Sequence, residues 1–469
     1  MRIWGVIAGL LVLGNSCGGG ARQSAQDPFV RAGQKVLLEN GEAFREVALL
    51  LDERCIWERN RSGNHSFLGA TLKISWRPTL KRDPFQTHRV QFPLAMAREE
   101  IEHVARDSRC VRGISNYRQA RTWDFETPIP QLQTHLDQLR LQQSEAVFFD
   151  PRGGVRQQVV IAMIDTGLDL RHPDLAPHLW SNPRETPGSI DGDLNGYAGD
   201  VHGFNFPSRI GDPGHQTPND HGTHTAGLAG AANYLGKGAS GIMRQQVRIM
   251  ALNVFGKSWG TDTPDIDEAI RYAVANGAHV INLSVGGLGR SDTTAAAIVD
   301  ALRKGVTVVA SAGNDGLSID EQFVFPASYA PDYPGLISVT ATDVATGMLC
   351  SFSNTGVRSV KIGAPGCDRD APKSGLLSTR KDSAYGHKKG TSMAAPLVSG
   401  ALALAYGMIR DRTGEPPSPA ELERALLESA QTQSDLLTGV AGGKTLRLEA
   451  LAHWIERKYP VRLSAKSQH

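Results

Sequence analysis

Four apolar runs of strand length, residues 159–164, 247–254, 279–285 and 306–310, recur along the middle of this chain with helical stretches between them, notably 265–275 and 293–304. An apolar run without polar alternation is what a strand buried on both faces requires. Parallel neighbours need a crossover connection, and an amphipathic helix supplies it. The alternation therefore predicts an α/β domain, a mostly parallel sheet with helices on both faces. In open sheets of this kind, ligands bind beyond the carboxyl ends of the strands. Chemistry is expected at the glycine-rich ends of the runs, not in their interiors.

Three motifs carry reactive side chains. Asp165 directly follows the first run in Val160-Ile-Ala-Met-Ile-Asp165-Thr-Gly-Leu-Asp169. His221 stands in Asn219-Asp-His221-Gly-Thr-His-Thr-Ala-Gly227, and Ser392 in Gly390-Thr-Ser392-Met-Ala-Ala-Pro396. A neutral hydroxyl is too weak a nucleophile to attack an amide. It needs an imidazole to take its proton and a carboxylate to orient that imidazole. Metal binding is the competing reading of Asp220, His221 and His224. The two histidines are three residues apart, whereas the helical zinc pair needs four with a Glu between. A serine at a helix start is ordinarily an N-cap. The same position presents a backbone N–H to an incipient oxyanion at the positive end of the helix. Asn314, in Ala310-Ser-Ala-Gly-Asn314-Asp-Gly, follows another strand end, where its amide can donate to that oxyanion.

The order Asp, His, Ser differs from that of chymotrypsin-like enzymes and of α/β-hydrolases. With these motifs in register, and with His172-Pro-Asp-Leu175, the chain resembles the subtilisin-like (subtilase) serine proteases from about residue 132 to 455. The resemblance implies a serine endopeptidase acting through an acyl-enzyme. Asp165, His221 and Ser392 would form its triad, Asn314 and the Ser392 N–H would hold the oxyanion, and no cofactor would be required for the chemistry. It also implies that Ile281-Asn-Leu-Ser284-Val-Gly-Gly287 is an edge on which substrate backbone lies as an added strand, so Ser284, Val285 and Gly286 are expected to bind substrate. His224 matches a structural position. A narrow-specificity anchored processing or binding factor on the same fold is the alternative.

Asp191-Gly-Asp193-Leu-Asn195-Gly-Tyr-Ala-Gly-Asp200 resembles a subtilase loop insertion. Alternating Asp, Asp and Asn before Gly matches the first half of a calcium loop, without the bidentate acid at its far end. Structural Ca²⁺ on Asp191, Asp193, Asn195 and Asp200 is the expectation, and a plain turn loop the alternative.

Residues 3–13 form an apolar run after a single Arg, too short to span a bilayer comfortably and of secretory-signal character. Cys17 follows almost at once, as in a bacterial lipoprotein signal, so a lipid on Cys17 would hold an exported protein at the membrane. An ordinary cleaved signal with an incidental Cys is the alternative. A net charge of +2 over 469 residues offers no reason to expect nucleic acid. Oligomeric state leaves no mark in the sequence.

The expected plan is a signal at 1–17, a small polar tether at 18–34, a propeptide-like N-terminal α+β domain at 35–126, the catalytic domain at 131–455 and a tail at 456–469. The N-terminal part contains a strand-like run at 70–76, a helical pattern at 97–105 and a short strand after Cys110. A permanent N-terminal domain is the other reading. Setting Cys17 aside leaves Cys55, Cys110, Cys350 and Cys367, an even number in an oxidising compartment. Three connectivities are possible, and pairing within each domain gives Cys55–Cys110 and Cys350–Cys367; four unpaired buried thiols are the alternative.

Overall fold

The computed structural model describes residues 133–461, apart from 189, 216–218, 234–237, 257–259 and 370–374, together with the backbone of seven strands between 44 and 127. The chain divides into two compact units, with the boundary between Tyr117 and Arg118. In the first unit, β1 (Phe44–Asp52), β2 (His65–Phe67), β3 (Ala70–Ser75), β4 (Phe85–Met96) and β5 (Val111–Asn116) form one antiparallel sheet in the order β2-β3-β4-β1-β5. The strand-like run expected at 70–76 is β3, and the one after Cys110 is β5. The helix expected at 97–105, the Cys55–Cys110 pair, the signal with Cys17 and the tether all lie outside the described residues.

The second unit begins with β6 (Gln119–Thr122) and β7 (Phe125–Thr127), then α1 (Thr134–Gln138) and α2 (Leu141–Phe148). Its main sheet contains β8 (Val159–Asp165), β9 (Gly203–Asn205), β10 (Val247–Asn253), β12 (Val280–Leu283), β14 (Thr307–Ser311), β16 (Leu336–Asp343), β17 (Ile362–Cys367), β20 (Gln431–Thr432) and β21 (Lys444–Thr445). The order is β20-β21-β17-β16-β14-β12-β8-β10-β9, parallel throughout except for the edge strand β20. Every residue of β12, β14, β16 and β17 is buried, as strands covered on both faces require, and β12 and β14 fall in two of the apolar runs of the sequence. Two smaller antiparallel sheets complete the unit. One joins β11 (Gly260–Asp262), β6, β13 (Val285–Leu288) and β15 (Val324–Phe325); the other joins β18 (Leu376–Arg380), β19 (Ala384–Lys389) and β7.

The helices that follow are α3 (His221–Gly230), α4 (Thr263–Ala275), α5 (Asp292–Arg303), α6 (Thr391–Thr413), α7 (Pro419–Ser429) and α8 (Leu448–Lys458). Helix α6 is long and apolar enough to cross a membrane, yet it is buried along that length and packs against β8, β12, β14, β16 and β17. It is the core helix. Each fully buried Leu, Met or Ile on it, such as Leu397, Leu402, Leu404, Met408 and Ile409, contributes about 1.5–3 kcal/mol relative to exposure. Gly400 lets α6 approach α3 closely. A Cβ there would lie 2.6 Å from Ile242 Cβ and 2.9 Å from the Ala229 carbonyl oxygen, so even Ala would force the elements apart.

Two boundaries differ from the sequence expectation. The N-terminal domain was expected to end at 126, but β6 and β7 are hydrogen-bonded into sheets of the second unit, because extended backbone satisfies its polar groups against whichever edges are open to it. The catalytic domain was expected to end at 455, but α8 continues to Lys458 because Leu448, Leu451, Ala452 and Ile455 anchor it to the core. Cys350 and Cys367 form a disulfide with Cα atoms 6.2 Å apart, closing a short loop at the end of β17.

Candidate active site

Asp165 is the last residue of β8 and His221 the first of α3, so the ends of two elements bring a carboxylate to an imidazole. His221 Nδ1 lies 2.8 and 2.9 Å from the two oxygens of Asp165, and both side chains are buried. Asp165 also accepts from the Thr166 N–H at 2.6 Å and from the Thr225 hydroxyl at 3.1 Å, which fixes its plane. Gly222 permits the approach. A Cβ there would meet the Gly167 carbonyl oxygen at 2.3 Å and Asp165 itself at 3.2 Å. With Nδ1 committed to the carboxylate, Nε2 is the ring nitrogen left to act as a base.

Ser392 is the second residue of α6, after Gly390 at φ 149°, a conformation closed to most side chains. Its hydroxyl donates to the Ser284 carbonyl oxygen at 3.4 Å. Pro396 lies four residues on and has no N–H, so the helix cannot satisfy the Ser392 carbonyl in the usual way. The Ser284 hydroxyl donates to that carbonyl instead, at 3.0 Å, and itself accepts from Asn282 Nδ2 at 2.9 Å; the Ser399 hydroxyl donates to Asn282 Oδ1, also at 2.9 Å. A buried relay of side chains thus braces the turn that carries Ser392.

Asn314 stands beside the same helix start. Its Oδ1 accepts from the Thr391 N–H at 2.8 Å, while the Thr391 hydroxyl accepts from the Gly313 N–H at 3.0 Å. Asn314 Nδ2 is buried and has no hydrogen-bond partner among the described residues. A buried donor left unmade is costly, and this one belongs to a side chain bonded to the start of the helix that carries Ser392.

His224 donates Nε2 toward the carbonyl oxygens of Leu376 and Gly386 at 3.0 and 3.1 Å. Burial first, then the charge of Lys388, holds its pKa well below the usual histidine range, so it is a neutral structural group. Asp220, next to His221, accepts from Arg380 Nε at 2.5 Å and lies 3.1 Å from the fully buried Lys388 ammonium. Burial works to raise the Asp220 pKa, but Lys388 and Arg380 outweigh it and hold the carboxyl well below its ordinary range.

The expected substrate edge, Ser284 with Val285 and Gly286, runs into β13. The chain's own β6 is paired there, with Val285 opposite Thr122 and Gly286 opposite Arg121. On its other side β6 pairs with β11, placing Thr261 opposite Ala120 and Asp262 opposite Gln119. Strand β7 pairs with β19, which leads directly into Gly390 and Ser392.

In the acidic loop, Asp191 and Asp193 come together with Glu185, a residue absent from the sequence expectation, with one oxygen of each within 4.8 Å of the others. Asp200 and Asn195 are engaged differently. Buried Asp200 accepts from Tyr272 at 2.6 Å, Asn182 at 2.9 Å and Asn195 at 3.1 Å. Asn282, Thr225, Thr391 and Ser399 also escaped the sequence reading. For Asn282 there was a signal, since an Asn inside a fully buried strand must have a buried partner.

The subtilase family model (peptidase S8) matches residues 156–446, which include all four of these site residues. The chain belongs to the subtilase family. It is 37% identical over 244 residues to the thermophilic serine proteinase of Bacillus sp. (strain AK1), a match covering 52% of this chain and about half, 51%, of that protein. It is 34% identical over 253 residues to subtilisin Savinase of Lederbergia lenta, covering 54% of this chain and 78% of that one. Among solved structures, the epidermin leader peptide processing serine protease of Staphylococcus aureus, in a mutant form, is similar over 88% of this chain and 99% of its own, with a TM-score of 0.63 and 20% identity. That last likeness bears on the fold of the subtilase alone.

Proposed function

We propose that this subtilase is an exported serine endopeptidase in which Ser392 attacks the peptide carbonyl and His221 moves the proton. The observation that carries the reading is the buried Asp165–His221 pair at 2.8 Å, which commits Nδ1 and leaves Nε2 as base for Ser392. Asp165 orients the imidazole and stabilises it once protonated. Asn314 Nδ2 and the Ser392 N–H hold the oxyanion at the positive end of α6. A fluorophosphonate should label Ser392 and end proteolysis of casein, and Ser392→Ala should lose both. Full proteolysis by purified Ser392→Ala would sink the reading.

Export is supported by the apolar run at 3–13, and membrane attachment by Cys17 at its end. The unit ending at Tyr117 is read as a propeptide that cleavage between 119 and 130 removes. A lipid on Cys17 would leave with it, so maturation and release become one event. Glu185, Asp191 and Asp193 suit a hard cation such as Ca²⁺, since all three offer carboxylate oxygens from one loop. Asp200 and Asn195 would brace that site through Asn182 and Tyr272 rather than bind the ion. The ion's contribution would be to hold the loop, with no part in the hydrolysis.

A further inference from the structure

We propose that Asn354 is a positioning residue for the reaction, whose side chain fixes the turn that aims Asn314 at the oxyanion. The proposal rests on the oxyanion role given to Asn314 above. Asn314 sits in the turn after β14, next to Gly313 at φ 106°, where the backbone has glycine's freedom and needs bracing from outside. Asn354 supplies that bracing from both flanks. Its Oδ1 accepts from the Asp315 N–H at 2.9 Å and from the Leu317 N–H at 3.0 Å. Its Nδ2 donates to the Ala312 carbonyl oxygen at 3.0 Å, and its own backbone N–H donates to the Gly313 carbonyl oxygen at 2.9 Å. Asn354 is fully buried, and both polar atoms of its side chain are spent on residues either side of Asn314.

A brace has to be rigid itself. The Asn354 carbonyl oxygen accepts from the Thr340 hydroxyl of β16 at 2.7 Å, and the neighbouring Ser353 hydroxyl accepts from the Ala341 N–H at 2.8 Å. The disulfide from Cys350 to Cys367 ties the start of the same loop to the end of β17. Backbone bonds also join loop and turn, from the Gly316 N–H to the Phe352 carbonyl and from the Thr355 N–H to the Leu317 carbonyl, each at 2.8 Å. These do not need the Asn354 side chain. Truncating it therefore frees the residues flanking Asn314 more than it frees the loop. An oxyanion donor works only if it is held in place before the charge develops, and a misplacement of about 1 Å can cost about 10²-fold in rate.

Steady-state kinetics on one peptide, with fluorophosphonate titration to count competent sites, test this in a double-mutant cycle. Asn354→Ala should lower kcat about tenfold to a hundredfold with KM little changed, as for an interaction made only in the transition state. Added to Asn314→Leu, which has no donor left to aim, it should cost less than about twofold more. A residue that merely held the fold together would cost the same factor in both backgrounds. Losses that multiply, or an Asn354→Ala enzyme with wild-type kcat, overturn the proposal and leave the oxyanion reading standing. An Asn314→Leu enzyme with wild-type kcat overturns that reading, and the positioning role with it. Should Asn354→Ala fail to fold, Asn354→Asp keeps the acceptor for Asp315 and Leu317 and loses only the donor to Ala312. A kcat loss in this variant that disappears in the Asn314→Leu background upholds the role; a loss that persists there, or no loss at all, removes it.

Discussion

The surroundings of Ser392 and the acidic loop at 182–200 are both polar clusters set into the same unit, and they use their hydrogen-bonding capacity in opposite ways. In the loop, the carboxylates are met from within. Glu185 accepts from the Gly192, Asp193 and Gly199 N–H groups, Asp191 from Asn195 and Gly196, and Asp200 from three side chains. Around Ser392 the scaffold is equally well bonded, through Ser284, Asn282, Ser399 and Thr391, but Asn314 Nδ2 is left without a partner among the described residues. Saturated bonding makes a loop hold its shape. One buried donor kept in reserve can stabilise a charge that exists only in the transition state.

The sharpest way to break this contrast is to remove the reserved donor. Asn314→Leu should lower kcat about 10²–10³-fold, the loss known for the matching donor of subtilisin, with KM little changed. Asp191→Asn should leave kcat where it is. Steady-state rates on one peptide decide, and an Asn314→Leu enzyme within a fewfold of wild type would end the oxyanion assignment.

The loop should answer in stability instead. Calcium at about 100 times its Kd should stabilise the protein by about 2.7 kcal/mol, read as a rise in Tm that Asp191→Asn or Glu185→Gln abolishes. An identical Tm in excess chelator and in millimolar calcium would leave the loop as a self-bonded turn.

A third buried group tests whether an unpartnered atom by itself means catalysis. Both ring nitrogens of His135 lack partners among the described residues, and burial, then the charge of His387, brings its pKa down to about 3. The unfolded chain therefore binds the extra proton below about pH 6.5 while the folded chain refuses it until about pH 3. Its contribution to stability is complete above pH 6.5 and is lost as pH falls toward 3, about 2 kcal/mol of it between pH 6.5 and 5. His135→Leu should flatten denaturant midpoints across that window with kcat unchanged. A variant with the same acid slope as wild type would show that His135 is not the group responsible.

The smallest effect belongs to the brace. Ser284→Ala removes the donor that replaces the missing Pro396 N–H, and should cost about 1 kcal/mol in urea denaturation, together with a modest fall in kcat as the Ser392 turn loosens. An unchanged kcat would make the relay purely structural.

Much of this was legible in one dimension. Apolar runs of strand length alternating with helical patterns pointed to strands covered on both faces, so the parallel sheet could be expected from the pattern along the chain, and the three motifs stood out for what amide hydrolysis demands of side chains. The run at 159–164 even located Asp165 at its strand end, because the apolar run stops at the first charged residue. The acidic loop was harder. Its Asp and Asn spacing was visible, but Glu185 is six residues outside the repeat and reaches Asp191 and Asp193 only through the loop's turn.

By itself, then, the sequence determined the layering of the domain and singled out Asp165, His221 and Ser392 as candidate reacting groups, since both depend on residue type and short-range period. Tertiary structure alone decided which edges β6 and β7 pair with, that Ser284 stands in for the missing Pro396 N–H, and that Asn314 keeps a donor unspent. The physical reason is that backbone and amide hydrogen bonds are indifferent to sequence distance. Which donor meets which acceptor is settled only when the folded chain has brought the edges together.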